Sequence, residues 1–335
     1  MRRMREYMRI LDCTLRDGGY VNNWNFSRQT LDNIVIGCDK LGIDTVEVGI
    51  LGKKDPKEGF STKFNNIDEI PQLPPHRGDL GIAAMGTINE FRGLELPTAH
   101  DSQINSLRVA YFKEDWQETV KYAEYVKERG YKVFLQAMAT FMYNSAELKE
   151  MLKGVNEVMP YAFYMVDSFG VMYPDDVEIM HNSIRENLDN KIKFGFHAHN
   201  NIQMAFSNVI KFMEIADDDS YIDASLMGMG RGAGNVTMEL LLGYLNKKKN
   251  SNYDIEYLAE LIEDNMITEY EKNYWGYSMS YYYASYYAAN AVYVWYIESK
   301  GIKDLKSIRK ILSRIPMEYR HTLNKQIVDE IIVNL

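Results

Sequence analysis

Two histidines two residues apart, His197 and His199 in Phe194–Asn201 (FGFHAHNN), have the spacing of an ion-binding pair. Lys193–Phe196 alternates and carries aromatics, which predicts a short buried strand leading into them. On a strand, positions i and i+2 share a face, so both imidazoles point the same way. Two neutral imidazoles converging on one point form a divalent-metal geometry that a carboxylate completes. Asp17, in Leu11–Tyr20 (LDCTLRDGGY), offers that carboxylate at another strand end. Arg16 beside it puts a permanent cation next to such an ion. A metal and an arginine are what a developing enolate needs: a Lewis acid on the carbonyl oxygen and a fixed donor to the oxyanion. Alone, the His-x-His pair reads as two backbone-bonded histidines and the Arg-Asp pair as a weak surface ion pair. Together at strand ends they point to chemistry.

A third block, Ile222–Asn235 (IDASLMGMGRGAGN), alternates Gly228, Gly230, Gly232 and Gly234 with other residues. Such a loop lets backbone N–H groups approach a ligand, and Asn235 can offer an amide oxygen to a cation. It lacks the GxGxxG spacing of a dinucleotide site. The loop Gly52–Asn65 carries Lys53, Lys54, Lys57 and Lys63, which could meet an anionic acceptor, but Asp55 and Glu58 among them favour a solvated loop.

The elements that must position these residues recur along the chain. Eight short apolar segments are separated by helix-length stretches: Met8–Cys13, Thr45–Ile50, Leu80–Ala84, Leu107–Ala110, Val133–Ala137, Ala162–Val166, Lys193–Phe196 and Tyr221–Ala224. Arg28–Leu41 carries a helical stripe (Leu31, Ile34, Val35, Cys38) and stops at Gly42. Asp115–Arg129, Ser145–Met159 and Asp175–Leu188 behave likewise, with Ser145 and Asp175 as expected N-caps. This alternation predicts an α/β fold, a (β/α)8 TIM barrel with a C-terminal helical extension; an open doubly wound sheet is the alternative. In such a barrel the active site lies at the C-terminal strand ends. Arg16 and Asp17 follow the first strand, Glu47 lies within the second, Asp167 and Ser168 end the sixth, and the histidines end the seventh. The polar break Lys247–Asn252 (KKKNSN) divides the reading into a catalytic barrel, 1–246, and a helical domain, 247–335. The tyrosine-dense tract Tyr274–Ile297 reads as one tightly packed helix.

Composition narrows the function. The chain has 335 residues, 38 Lys+Arg against 47 Asp+Glu and a net charge of −9, which argues against nucleic acid or an anionic membrane as the main partner. Cys13 and Cys38 make no disulfide framework, consistent with reduced thiols in a cytoplasmic protein. Arg2, Arg3, Arg5 and Arg9 are followed by no apolar h-region, so no signal peptide is expected, and no apolar run is long enough to span a bilayer.

TLRDGG (Thr14–Gly19), HAHNN (His197–Asn201) and DASLMGMGRGAGN (Asp223–Asn235), in this order, resemble the metal-dependent aldolase and acyl-lyase/synthase superfamily. The third block and RVAYF (Arg108–Phe112) look most like its 4-hydroxy-2-oxovalerate aldolases. The resemblance covers about residues 8–245. It implies a divalent metal (Mn²⁺, Mg²⁺, Co²⁺ or Zn²⁺) on Asp17, His197 and His199, with Asn235 matching a further ligand of the lyase branch. It implies that Arg16 stabilises a pyruvate enolate, that Ser168 helps hold the substrate carboxylate and that Glu47 supports the site from behind. Gly276-Tyr277 matches a Gly-Tyr pair near the substrate. Tyr20 stands where the aldolases have an acid/base histidine, and a phenol with a pKa near ~10 is a poor base at neutral pH unless a cation depresses it. The expected activity is cleavage or formation of a 4-hydroxy-2-keto acid from a 2-keto acid and an aldehyde. The alternatives are Claisen-type acyl transfer from acetyl-CoA and, given Tyr20 and the tyrosine-rich tail, a non-catalytic scaffold. Aldolases of this kind often pair with an aldehyde dehydrogenase; self-association through the aromatic tract is the other expectation.

Overall fold

Strand β1 (Arg9–Asp12) pairs in parallel with both β2 (Thr45–Leu51) and β9 (Tyr221–Ala224), and that double pairing closes the sheet. The computed structural model describes residues 8–54 and 59–335. Between the seam strands run β4 (Gly81–Thr87), β5 (Ser106–Tyr111), β6 (Lys132–Ala137), β7 (Ala162–Asp167) and β8 (Lys193–Ala198), all parallel. The result is the closed eight-stranded barrel expected, with helices outside it. A two-residue strand, β3 (Lys63–Phe64), adds to β2 inside the segment read as a loop. The open-sheet alternative is excluded by the seam.

The strands are almost wholly buried because helices cover their outer faces, as a parallel sheet requires. Helix Arg28–Leu41 starts where the Ser27 side chain accepts the Thr30 N–H and ends at Gly42, whose φ of 75° suits glycine. Its stripe of Leu31, Ile34, Val35 and Cys38 faces the barrel. Two expected caps shift. Asn144, not Ser145, accepts the N–H groups of Ala146 and Glu147, because its carboxamide reaches two donors at once. At the next helix Pro174 takes the first position, which moves the cap from Asp175 back to Tyr173.

Inside the barrel Leu11, Cys13, Phe134, Ala162, Tyr164, Val166 and Tyr221 form a separate cluster. It plugs the lower barrel, and polar inward residues stand above it. After the barrel, helix Met238–Lys249 runs into KKKNSN and ends at Asn250 (φ 54°). The Tyr274–Ile297 tract is two helices, Met279–Tyr286 and Val292–Ser299, not one. The chain turns between them at Ala288 (φ 49°). There, backbone bonds from Ala288 to Ser285 and Ala289 to Ala284 close the first helix. Ala284, Tyr293, Val294 and Ile297 pack with Ile308, Ile311, Leu312 and Val328 into a second core. No described helix is long and apolar enough to cross a membrane.

Candidate active site

β8 extends through Ala198, so the His197–His199 pair sits at its very end rather than beyond it. The two rings lie 5.0 Å apart, centroid to centroid, on the inner face. The first strand stops at Asp12 and turns at once through Thr14–Asp17, which brings Arg16 and Asp17 inward over the same end. One ligand atom from each of Asp17, His197 and His199 lies within 4.8 Å of the others, and all three residues are buried. The three line one cavity with Arg16, Tyr20, Ser168, Gln136, Thr87 and Arg231.

Each imidazole is held by its far nitrogen. His197 Nδ1 pairs with Asp223 Oδ2 at 2.9 Å, and His199 Nδ1 with the Gly234 carbonyl at 3.3 Å. The donor tautomer these partners require leaves both Nε2 lone pairs for the cavity. Burial drives the His199 pKa well below its usual value, against the opposing pull of Asp17. The ring is therefore neutral, as a ligand must be. Burial pushes Asp17 up, but the guanidiniums of Arg16 above all and of Arg231 outweigh it and hold the carboxyl well below the usual range. An anion, the neutral His199 imidazole and a second imidazole tied through Nδ1 to Asp223 suit a divalent ion.

Asn235 fits the same set. Its Nδ2 donates to the Met229 carbonyl at 3.1 Å, while its buried Oδ1 has no hydrogen-bond partner. At Gly230 any Cβ would collide with Asn235 Nδ2 and crowd Asp17 Oδ2, so this position must stay glycine for the two groups to approach. The residues present therefore match the metal that the sequence resemblance implies.

Beneath the site runs a chain of charges. Arg16 donates through Nη1 to Asp17 Oδ1 (2.5 Å) and through Nε to Glu47 Oε2 (2.8 Å). Glu47 Oε1 meets Arg108 Nη1 at 3.0 Å. Arg108 Nη2 then reaches Gln136 Oε1 (3.0 Å) and Asp223 Oδ2 (2.5 Å), and Asp223 holds His197. Arg108 also lies over the Tyr164 ring. Asp17, Arg16, Glu47, Arg108, Asp223 and His197 form one continuous network, and Arg108, Glu47 and Asp223 are fully buried. Each member's position is set by its neighbours, so the far nitrogens and the ligand atoms are pre-positioned. The Arg16–Asp17 pair is thus a buried strut, not a surface pair.

Among the other expected residues, Ser168 lines the cavity, and its Oγ accepts the Ala139 N–H, which leaves the hydroxyl proton for a ligand. Tyr20 lines it too; burial raises its phenol, with Arg231 opposing, so it stays protonated. Tyr277 is not brought to the cavity: it is half exposed and its hydroxyl meets Met279 Sδ. The aromatic that arrives from the C-terminal helices is Trp295, 6.1 Å from the Tyr20 ring and bonded to the Tyr281 hydroxyl at 2.6 Å. Of the loop lysines, Lys63 lies over the Trp24 ring and Lys54 donates to the Gly59 carbonyl, so neither faces the cavity. Lys57, Asp55, Glu58 and the arginines at 2, 3 and 5 lie outside the described residues. Gln136 and Asp223 were not marked by sequence reasoning; a polar residue interrupting an apolar strand, as in KVFLQA and YIDA, is the signal that could have found them.

A closed parallel barrel thus gathers a carboxylate, two oriented imidazoles and an arginine at its C-terminal mouth, the arrangement of a barrel enzyme. The HMGL-like family pattern matches residues 98–264. A 4-hydroxy-2-oxovalerate aldolase of Chloroflexus aurantiacus is 30% identical over 243 residues, 71% of this chain and 69% of the relative. An oxaloacetate decarboxylase of Mycobacterium tuberculosis is 23% identical over 269 residues, 79% of this chain and 78% of the relative. Among solved structures, the N-terminal domain of a candidate aldolase from Bacteroides vulgatus superposes with a TM-score of 0.73 at 28% identity, covering 88% of this chain and 98% of that one. The carboxyl transferase domain of Rhizobium etli pyruvate carboxylase shares the fold, with a TM-score of 0.73 at 11% identity over 98% of this chain and 60% of that one. The chain belongs to the HMGL-like family. It is an enzyme, a carbon–carbon lyase, which sets aside the scaffold alternative.

Proposed function

We propose that this lyase is a divalent-metal aldolase that cleaves or forms a 4-hydroxy-2-keto acid by way of a pyruvate enolate. The observation that supports this best is the joint placement of Asp17, His197 and His199 beside Arg16 at one cavity. A divalent ion, Mn²⁺ by preference, held by these three with Asn235 beside them would supply a Lewis acid for the substrate's keto oxygen.

The chain's own groups do the rest. Arg16 spends Nε and Nη1 on Glu47 and Asp17, which fixes the guanidinium plane and leaves Nη2 as a donor to the enolate oxygen. The Ser168 hydroxyl is placed to donate to the substrate carboxylate. In cleavage, the C3–C4 bond breaks, its electrons become the enolate, and the C4 hydroxyl proton passes to the Tyr20 oxygen, which has first given its own proton to solvent, as the aldehyde forms. In condensation, the protonated Tyr20 phenol gives its proton to the aldehyde oxygen. Ile50, Met85, Met138 and Val166 line the same cavity and limit water around the enolate. The barrel, 1–246, carries this chemistry, and the helices of 247–335 cover its mouth through Trp295. The two buried free thiols, Cys13 and Cys38, support a reducing, cytoplasmic setting.

The test is deuterium exchange at C3 of pyruvate with Mn²⁺-loaded protein, followed by pyruvate release from a 4-hydroxy-2-keto acid. Arg16→Ala should keep the ion and lose about 10²–10³ in exchange rate, the loss expected of one oxyanion donor. Full exchange by Arg16→Ala would remove Arg16 from the enolate role, and no exchange by the native protein would remove the reading itself.

A further inference from the structure

Arg231 is the charged side chain of this cavity that no carboxylate claims among the described residues. Arg16 is neutralised twice over, by Asp17 and Glu47. Arg231 has only neutral partners: its Nη2 donates to the Ser168 carbonyl at 3.0 Å and approaches His199 Nε2 at 3.4 Å. Its Nε is buried with no partner. Its stem is nevertheless fixed, because its backbone N–H donates to Asp17 Oδ2 at 3.1 Å. One flank of the guanidinium lies 5.5 Å from the centre of the Tyr20 ring, and that ring is backed by Trp24 and Trp295. A cation held on an aromatic wall, with spare donors, is a receptor for an anion.

A second donor nearby is also unclaimed. Gln136 gives its Oε1 to Arg108, and its Nε2 is buried without a partner while the residue lines the cavity. With Asp17 and Glu47 both on Arg16, the cation left over in the lining is Arg231. An ion held by His199 would add positive charge and take the nitrogen that Arg231 now approaches, which leaves the guanidinium one acceptor fewer. Under the reading above, the one carboxylate of a simple keto acid goes to Ser168, which leaves Arg231 without an anion. One relative is named for oxaloacetate, a 2-keto acid with two carboxylates.

We propose that Arg231 binds a second carboxylate at the far end of the substrate, so that this enzyme's substrates are dicarboxylic 2-keto acids. This rests on the aldolase reading and refines it. In the simplest member, 4-hydroxy-2-oxoglutarate, breaking C3–C4 gives pyruvate enolate and glyoxylate, with the C4 hydroxyl proton lost and a proton gained at C3.

The decisive comparison uses a matched pair in which the distal group is carboxylate or methyl: 4-hydroxy-2-oxoglutarate and 4-hydroxy-2-oxovalerate. With Mn²⁺-loaded native protein, kcat/KM should favour the dicarboxylate by about tenfold to a hundredfold. Arg231→Ala should erase that ratio, and Arg231→Lys should restore part of it. Calorimetry gives a readout without turnover: 2-oxoglutarate should bind the native protein more tightly than 2-oxopentanoate, and Arg231→Ala should remove the difference. A native preference for the methyl compound, or a ratio that survives Arg231→Ala, overturns the proposal. If pyruvate exchanges deuterium and the preference is still absent, Arg231 alone is misassigned. If pyruvate does not exchange at all, the aldolase reading falls with it.

Discussion

The two arginines of the cavity are held in opposite ways. Arg16 is locked between Asp17 and Glu47, inside a network that continues to Arg108, Asp223 and His197. Arg231 leans on a carbonyl, an imidazole and an aromatic face. The first lies on a floor of interlocked charges, and the second on a rim where a barrel loop meets the C-terminal helices. A group that stabilises the same oxyanion in every turnover gains from rigidity, because it needs no reorganisation. A group that selects among substrates gains from unclaimed donors. On the reading proposed above, the chemistry belongs to the floor and the choice of substrate to the rim.

The sharpest way to break the contrast is at the ligands. Asp17→Asn or His199→Ala should abolish metal retention and lower turnover by more than about 10³, read by metal analysis and steady-state kinetics. Retained metal with normal turnover would mean that the floor is not the chemical centre. Next comes Arg108→Met, which removes the buried cation that bridges Glu47 and Asp223. It should cost about 3–5 kcal/mol in urea unfolding and weaken metal binding, although Arg108 is not itself a ligand. A variant as stable as the native chain would show that the network is not what holds the floor.

A smaller effect is expected from pH. Burial pushes Asp12 up to about 7, offset by its bonds to Thr14 and reinforced by Glu47 and Asp223. Its ordinary value is 3.8. A carboxyl raised on folding stabilises fully below its unfolded value, and that stability is lost as pH rises through its folded value. Between pH 4 and pH 7 the native protein should therefore lose roughly 2–4 kcal/mol relative to Asp12→Asn. Parallel stability profiles for the two proteins would refute this. The smallest effect belongs to the rim: Trp295→Ala should raise KM by about threefold with little change in stability, since it removes one aromatic contact from Tyr20. A collapse of kcat instead would move the rim into the chemistry.

What could be read from the sequence follows the same division. The candidate ligands announce themselves because the His-x-His and Arg-Asp-Gly spacings are local and sit at strand ends. The barrel announces itself through repeated alternation. Arg108, Gln136 and Asp223 meet only when three separate strands close around one axis, and each looks like an ordinary strand residue in its own segment. Tyr277 and Trp295 lie in one aromatic tract, and which of them reaches the mouth is decided by the turn at Ala288, which composition does not reveal. Asn144 outcompetes Ser145 as a cap through side-chain reach, a matter of geometry that a one-residue shift in a pattern does not show.

The barrel's seam gives the network a further meaning. β1 and β9 are joined there over four residues each, and a chain of charges also links them through the barrel interior, from Asp17 after β1 by way of Arg16, Glu47 and Arg108 to Asp223 on β9. The network behind the candidate ligands therefore also ties the beginning of the barrel to its end. A chain cut at the loop after β9 and rejoined through its old termini would have to rebuild that crossing before it could load an ion, so metal uptake would report ring closure in any such rearranged protein.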